Sequence, residues 1–206
     1  GVHGYELEYD SQGYLCRMTS VGGDGSPTAS GIGYCTAEYV MDQQGRPVKM
    51  RYFDAAGEPA CHRQRGEYGA DISYDAKGNI TEVIFLNQEE IPALNREGYV
   101  RTRRQYDEMG RMIRESYEDQ QGDLVRMKEN VATYQIAYDR KGNIQEVCFE
   151  DETGSPCKNA NGYARVVYEY DEAGNQISEA FFDERGIPVI NSGGYASSRY
   201  EYDEQG

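Results

Sequence analysis

The side chains best suited to catalysis are few. His3 and His62 are the two imidazoles, and the thiols are Cys16, Cys35, Cys61, Cys148 and Cys157. Cys61 and His62 are adjacent in sequence. Neighbours on a strand point to opposite faces, so the two do not make a nucleophile–base pair. Carboxylates are plentiful, but the recurring ones stand where a turn needs a cap. A calcium loop needs denser, alternating acids with a distal Glu, and zinc-ligand spacing is missing. The expectation is a chain that is not an enzyme and carries no cofactor and no metal.

The feature that stands out is basic. Arg96, Arg101, Arg103, Arg104, Arg111 and Arg114 gather in a chain whose formal net charge is −15. Guanidinium forks hold carboxylates and phosphates well. Arg101, Arg103, Arg104, Arg111 and Arg114 are therefore the candidate partner-binding residues, for an anionic group or an acidic protein patch. Strand alternation puts Arg101 and Arg103 on one polar face. Arg114 is expected roughly opposite Arg103, a like-charge pairing that destabilises a sheet. Arg104 takes the place that Ile72, Ile136 and Tyr168 hold elsewhere. The plainer alternative is a solvated face, with arginine stems lying over tyrosine rings and nearby glutamates balancing the charge.

A repeat positions these residues. Asp-x-x-Gly occurs at Asp10/Gly13, Asp42/Gly45, Asp75/Gly78, Asp107/Gly110, Asp139/Gly142, Asp171/Gly174 and Asp203/Gly206, so successive aspartates are 32 residues apart, except 33 from Asp42 to Asp75. This is a single array over residues 1–206, with six units of 32 or 33 residues and a seventh just begun. Before each Asp the chain alternates, as in Ala164, Val166, Tyr168 and Tyr170 against Arg165, Val167 and Glu169. Period two predicts a half-buried strand. The Asp carboxylate can accept a backbone N–H two residues on, and the Gly supplies a left-handed conformation, which together close a hairpin. A second Gly follows at 25, 57, 122, 154 and 186, and Pro27, Pro59, Pro92, Pro156 and Pro188 mark the end of the return strand. The fold class is all-β, a tandem β-hairpin repeat array forming an elongated solenoid or curled sheet, in which each unit touches its neighbours.

Two ring series are expected to form the inter-repeat core. One is Tyr52, Phe85, Tyr117, Phe149 and Phe181, and the other is Tyr9, Met41, Tyr74, Tyr106, Tyr138, Tyr170 and Tyr202. Irregular copies point to local deviations. Glu90 replaces the second Gly, Leu124 replaces Pro, Val131 replaces the Tyr that opens a unit, and one extra residue falls among Arg63 to Tyr68. The cysteines occupy different repeat positions and imply no disulfide framework, although Cys148 and Cys157 flank one turn and are placed to meet.

Tyr168-Glu169-Tyr170-Asp171-Glu172-Ala173-Gly174-Asn175, Tyr200 to Gly206 and Tyr106 to Arg111 resemble the tyrosine–aspartate repeats of bacterial Rhs-type surface and toxin proteins. Here a second Gly-x-Pro turn completes a longer unit. Phe182 to Val189 and Tyr52 to Pro59 are also similar to the repeats of choline- and glucan-binding bacterial wall proteins. Those hold ligand in Trp-rich pockets, and this chain has no Trp. Both resemblances imply a bacterial β-hairpin array at the cell surface or outside the cell.

An acidic surface repels phosphate backbones and anionic lipid. Neither nucleic-acid binding nor membrane insertion is expected, and no apolar stretch is long enough to span a bilayer. The array begins and ends mid-pattern, which reads as a piece of a longer protein. The leading expectation is a non-catalytic, adhesin-like surface module presenting an extended face to a host protein or a glycan. The alternative is a structural spacer or shell segment of a larger Rhs-like toxin or surface protein.

Overall fold

The computed structural model describes residues 1–202; the seventh motif, Asp203/Gly206, lies outside them. Thirteen strands and no helix occur among the described residues. Outgoing strands are β1 (Gly4–Tyr9), β3 (Thr36–Met41), β5 (Gly69–Tyr74), β7 (Arg101–Tyr106), β9 (Thr133–Tyr138), β11 (Arg165–Tyr170) and β13 (Ser197–Arg199). Return strands are β2 (Leu15–Val21), β4 (Pro47–Phe53), β6 (Ile80–Leu86), β8 (Met112–Glu118), β10 (Ile144–Glu150) and β12 (Gln176–Phe182). The all-β hairpin array is therefore observed.

The chain divides into two compact units. The first holds Gly1–Thr102 and Asp119–Gln121; the second holds Arg103–Glu118 and the chain from Gly122 on. In the first unit β1 to β6 pair antiparallel in sequence order. In the second, β8 to β13 do the same.

Each repeat makes three turns, where the sequence pattern suggests two. The first is the Asp-x-x-Gly turn, for example at Asp139. Its N–H donates to Asn143 O at 2.9 Å, and Gly142 N–H donates back to Asp139 O at 3.2 Å. Asp139 Oδ1 accepts the N–H of Lys141 at 2.8 Å and of Asn143 at 2.9 Å. The cap thus holds two donors, one more than anticipated. Gly142 has φ 98°, which an L side chain rarely adopts. The register slips beside the turns at Asp10, Asp42, Asp75, Asp139 and Asp171, as between Ile144 and Glu146, so these hairpins close with a bulge.

The second turn starts at Asp54, Asn87, Asp151 and Asp183, with Gly22 in the first copy. It ends in an isolated bridge made by the proline, such as Phe53↔Pro59 and Phe182↔Pro188; Leu124 keeps that bridge, to Glu118, without the ring. Glu90 stands where glycine is usual and still takes φ 61°.

The third turn starts at Ser30, His62, Asn95, Met127, Asn159 and Asn191. These turns stack. Arg63 N–H donates to Ile32 O and Arg96 N–H to Arg65 O in the first unit, both at 2.7 Å. Ala160 N–H donates to Glu129 O and Ser192 N–H to Asn161 O in the second, both at 2.9 Å. The extra residue near Arg63 falls in this turn: Gly66 N–H reaches four residues back to His62 O.

The buried rings are Tyr52, Phe85, Tyr117, Phe149 and Phe181, with buried Ser20 at the same place in the first copy. They interleave with the tyrosines that follow the third turn. In the second unit Phe149, Tyr163, Phe181 and Tyr195 contact in succession at centroid distances of 5.7, 4.6 and 5.8 Å. The other series is less buried than its expected core role requires. Tyr9 is 59 % exposed and Tyr202 is also open. These tyrosines act as clasps instead. Tyr74 Oη donates to Pro47 O, Tyr138 Oη to Met112 O, Tyr170 Oη to Ile144 O and Tyr202 Oη to Gln176 O, at 2.9, 2.8, 2.8 and 2.7 Å. Each hydroxyl holds the carbonyl two residues past the preceding unit's turn glycine.

Cys148 and Cys157 do not pair; both are free. Cys157 is buried against Val131 and Phe149, whereas Cys148 donates to Glu146 Oε1 at 3.3 Å. Burial, with that carboxylate as a smaller cause, pushes the Cys148 thiol up to about 11.

Candidate functional site

Arg101 belongs to the first unit; Arg103, Arg104, Arg111 and Arg114 belong to the second. Each lies against a carboxylate of its own unit. Arg101 Nε is 3.2 Å from Glu82, and Arg103 Nε is 2.9 Å from Glu118. Arg104 Nε is 2.8 Å from Glu115, and Arg114 Nη2 is 3.4 Å from Glu150. Arg111 Nη2 is 2.7 Å from Asp107. Arg103 is half in water while Glu118 is buried, so the pair chiefly supplies the counter-charge that a buried carboxylate needs. Its consequence is that positive charge is balanced inside the array.

The strand register corrects one expectation. In every other hairpin the residue seven before the turn glycine faces the residue six after it: Glu6↔Thr19, Glu38↔Arg51, Asp71↔Ile84, Gln135↔Cys148 and Val167↔Ala180. That register sets Arg103 against Ser116 and Arg104 against Glu115. Arg114 faces Gln135 on β9. By that register the supposed like-charge pair is two residues out, and the bulge at the turn accounts for one of the two.

Arg104 occupies an aliphatic position because its partner is at hand. Burial is the largest single influence and works against its charge, but the Glu115 hydrogen bond and the nearby negative charge together outweigh it, so its pKa is raised. Tyr117 Oη donates to the other oxygen of Glu115 at 3.1 Å, which orients the carboxylate.

Arg111 belongs to a recurring series, the residue just after the turn glycine. Arg111 Nε donates to Asp107 Oδ2 at 2.8 Å, and Arg46 Nε to Asp42 Oδ2 at 2.7 Å. Asn79, Asn143 and Asn175 donate through Nδ2 to Asp75, Asp139 and Asp171. The Arg46 guanidinium also covers the Tyr74 ring at 4.5 Å, and that of Arg111 covers Tyr138 at 4.6 Å. Asp, the residue after Gly and the next unit's Tyr thus form one joint. The recurrence of Arg or Asn after five of the Asp-x-x-Gly motifs, from Asp42 to Asp171, was the available signal.

Arg96 reaches the third-turn stack, and its stem packs on Gly66, where an added Cβ would lie 2.7 Å from its Cγ. On β1 to β4 the register partners Glu8, Arg17, Glu38 and Arg51 alternate in sign. They line a concavity of about 430 Å³ together with Tyr39, Lys49 and Glu90. Arg51 reaches both Asp71 at 3.1 Å and Glu90 at 3.0 Å. No group of three or more His, Cys, Asp or Glu side chains converges among the described residues.

No protein-family model matches the chain, and no curated protein matches it. Solved structures that it resembles include three with TccC3 in their descriptions. A TcdB2-TccC3-Cdc42 crystal structure matches with TM-score 0.37 and 15 % identity, over 86 % of this chain and 9 % of that one. A TcdB2-TccC3-TEV crystal structure matches with TM-score 0.40 and 14 % identity, over the same shares. A Tc holotoxin pore of Photorhabdus luminescens with a mutation in TccC3 matches with TM-score 0.36 and 12 % identity, over 86 % of this chain and 10 % of that one. The chain spans about a tenth of the length of these chains.

Proposed function

We propose that this chain is a structural repeat segment, a spacer or shell wall, within a larger bacterial surface or toxin protein, and that it works outside the cell without catalysing a reaction. One observation carries this reading over the adhesin-like one. All five candidate arginines lie against carboxylates of the array itself. The position of Arg111 recurs as a joint in units with no arginine cluster, through Asn79, Asn143 and Asn175.

The test compares the chain with a variant carrying Arg101→Ser, Arg103→Ser and Arg114→Ser, both immobilised and exposed to host serum and mucosal proteins and to a glycan array. The spacer reading expects neither to retain a partner and the variant to melt earlier. A protein or glycan held by the parent chain and released by a folded variant would replace this reading with the adhesin-like one.

A further inference from the structure

The ring ladder of the first unit is interrupted at one place. Tyr34 stacks on Tyr52 with centroids 4.2 Å apart, and Phe85 meets Tyr99 at 5.6 Å. Among the described residues no ring bridges Tyr52 and Phe85. The position that would supply it, eight residues before the turn Asp, is Tyr34, Tyr99, Tyr163 and Tyr195 in other units; here it is Glu67. The residue added to the third turn puts it there.

Glu67 is 2 % exposed. Neither carboxylate oxygen has an aligned hydrogen bond. Arg65 Nη2 stands 2.7 Å from Oε1, and the Arg65 side chain is itself 51 % exposed. A carboxylate withdrawn from water with so little compensation is costly, and a buried polar group left short of partners calls for an explanation. Three rings adjoin the turn that carries the pair: His62, Tyr34 and Tyr52, the last stacked on Tyr34. Tyr34 lies 6.3 Å from His62, whose Nδ1 accepts the Arg65 N–H at 3.3 Å. Burial is the main influence on Tyr34, Tyr52 and His62, and smaller opposing pulls from Arg65 and Glu67 act on all three.

We propose that Glu67, Tyr34, Tyr52 and His62 form a site for a guanidinium group, and that Arg65 is its resident, displaceable occupant. The carboxylate supplies the counter-charge, and His62 with the stacked Tyr34 and Tyr52 stands beside the turn that carries it. Arg65 is tethered within the same turn and half in water, so an arginine from outside can compete for its place. The net charge of −15 draws basic partners toward the chain.

The experiment titrates methylguanidinium into the full chain and into its Arg65→Ala and Arg65→Gln variants, following the His62 and tyrosine ring resonances, with sodium chloride at matched ionic strength as control. Vacating the site should tighten methylguanidinium binding at least tenfold over the parent chain. Adding Glu67→Gln should return it to the sodium background. An arginine-containing peptide that binds more tightly than methylguanidinium would identify the source as a partner chain, and equal affinities would identify the free cation. If either vacated variant folds and its ring resonances move no further with methylguanidinium than with sodium, the site does not exist.

Discussion

The turn aspartates show how one side chain can carry a whole repeat. Asp42, Asp75, Asp107, Asp139 and Asp171 each hold their carboxyl below the ordinary value. In every case the largest cause is a hydrogen bond from the residue four positions on, through its backbone or its side chain. The unfolded chain therefore binds protons that the folded chain refuses. Stability from these groups is complete above the unfolded value, about pH 3.9, and is lost as pH falls through the lower folded values. Melting midpoints should be level from neutral pH to about pH 5 and then fall steeply. Replacing Asp171 with Asn removes one titrating cap and should make that fall shallower. An acid limb unchanged by the substitution would mean the caps do not titrate with folding.

At the level of the element, packing corrects what a local pattern cannot. Val131 breaks the tyrosine series after the third turn, yet it is 0 % exposed. Tyr134, three residues later, fills the gap. Its ring meets Tyr117 at 6.1 Å and Phe149 at 5.2 Å, from a position where Ala37, Ala70, Thr102 and Val166 stand in other copies. The two places have exchanged large for small. Tyr134→Val should cost about 1–3 kcal/mol by opening a hole, or roughly 2–4 °C of melting midpoint per kcal/mol. Adding Val131→Tyr should restore most of it. A double variant no more stable than Tyr134→Val alone would show that the rings do not share one space.

The strands, the first turn and the buried ring series were legible because alternation and Asp-x-x-Gly are local signals. The third turn was not, since its first residue is Ser, His, Asn or Met, and its last is glycine in most copies but Asn130 in one. The clasp of Tyr138 on Met112 joins residues 26 apart and leaves no local pattern. The arginine group was visible as composition, but its partners Glu82, Glu115 and Glu150 are brought near by strand pairing. Glu67 gave itself away only through the single added residue, which shifted a carboxylate into a place otherwise held by rings.

Over the whole molecule, side chains in one copy do what different side chains do in another. Arg111 and Asn143 both secure a turn aspartate, and Leu124 and Pro156 both close the second turn. Copies of a hairpin should therefore be exchangeable, as expected of nearest-neighbour repeat proteins. The most direct test replaces residues 101–118 with the sequence of residues 165–182, which is of equal length. Arg165 then takes the place of Arg101 and Val167 and Phe182 replace the Arg103–Glu118 ion pair. Thermal melting of this chimera is the decisive measurement. A single cooperative transition within a few degrees of the parent is the predicted result. A chimera that fails to fold, or melts in separate steps where the parent melts in one, would contradict the claim that these arginines serve the array in the way their counterparts do.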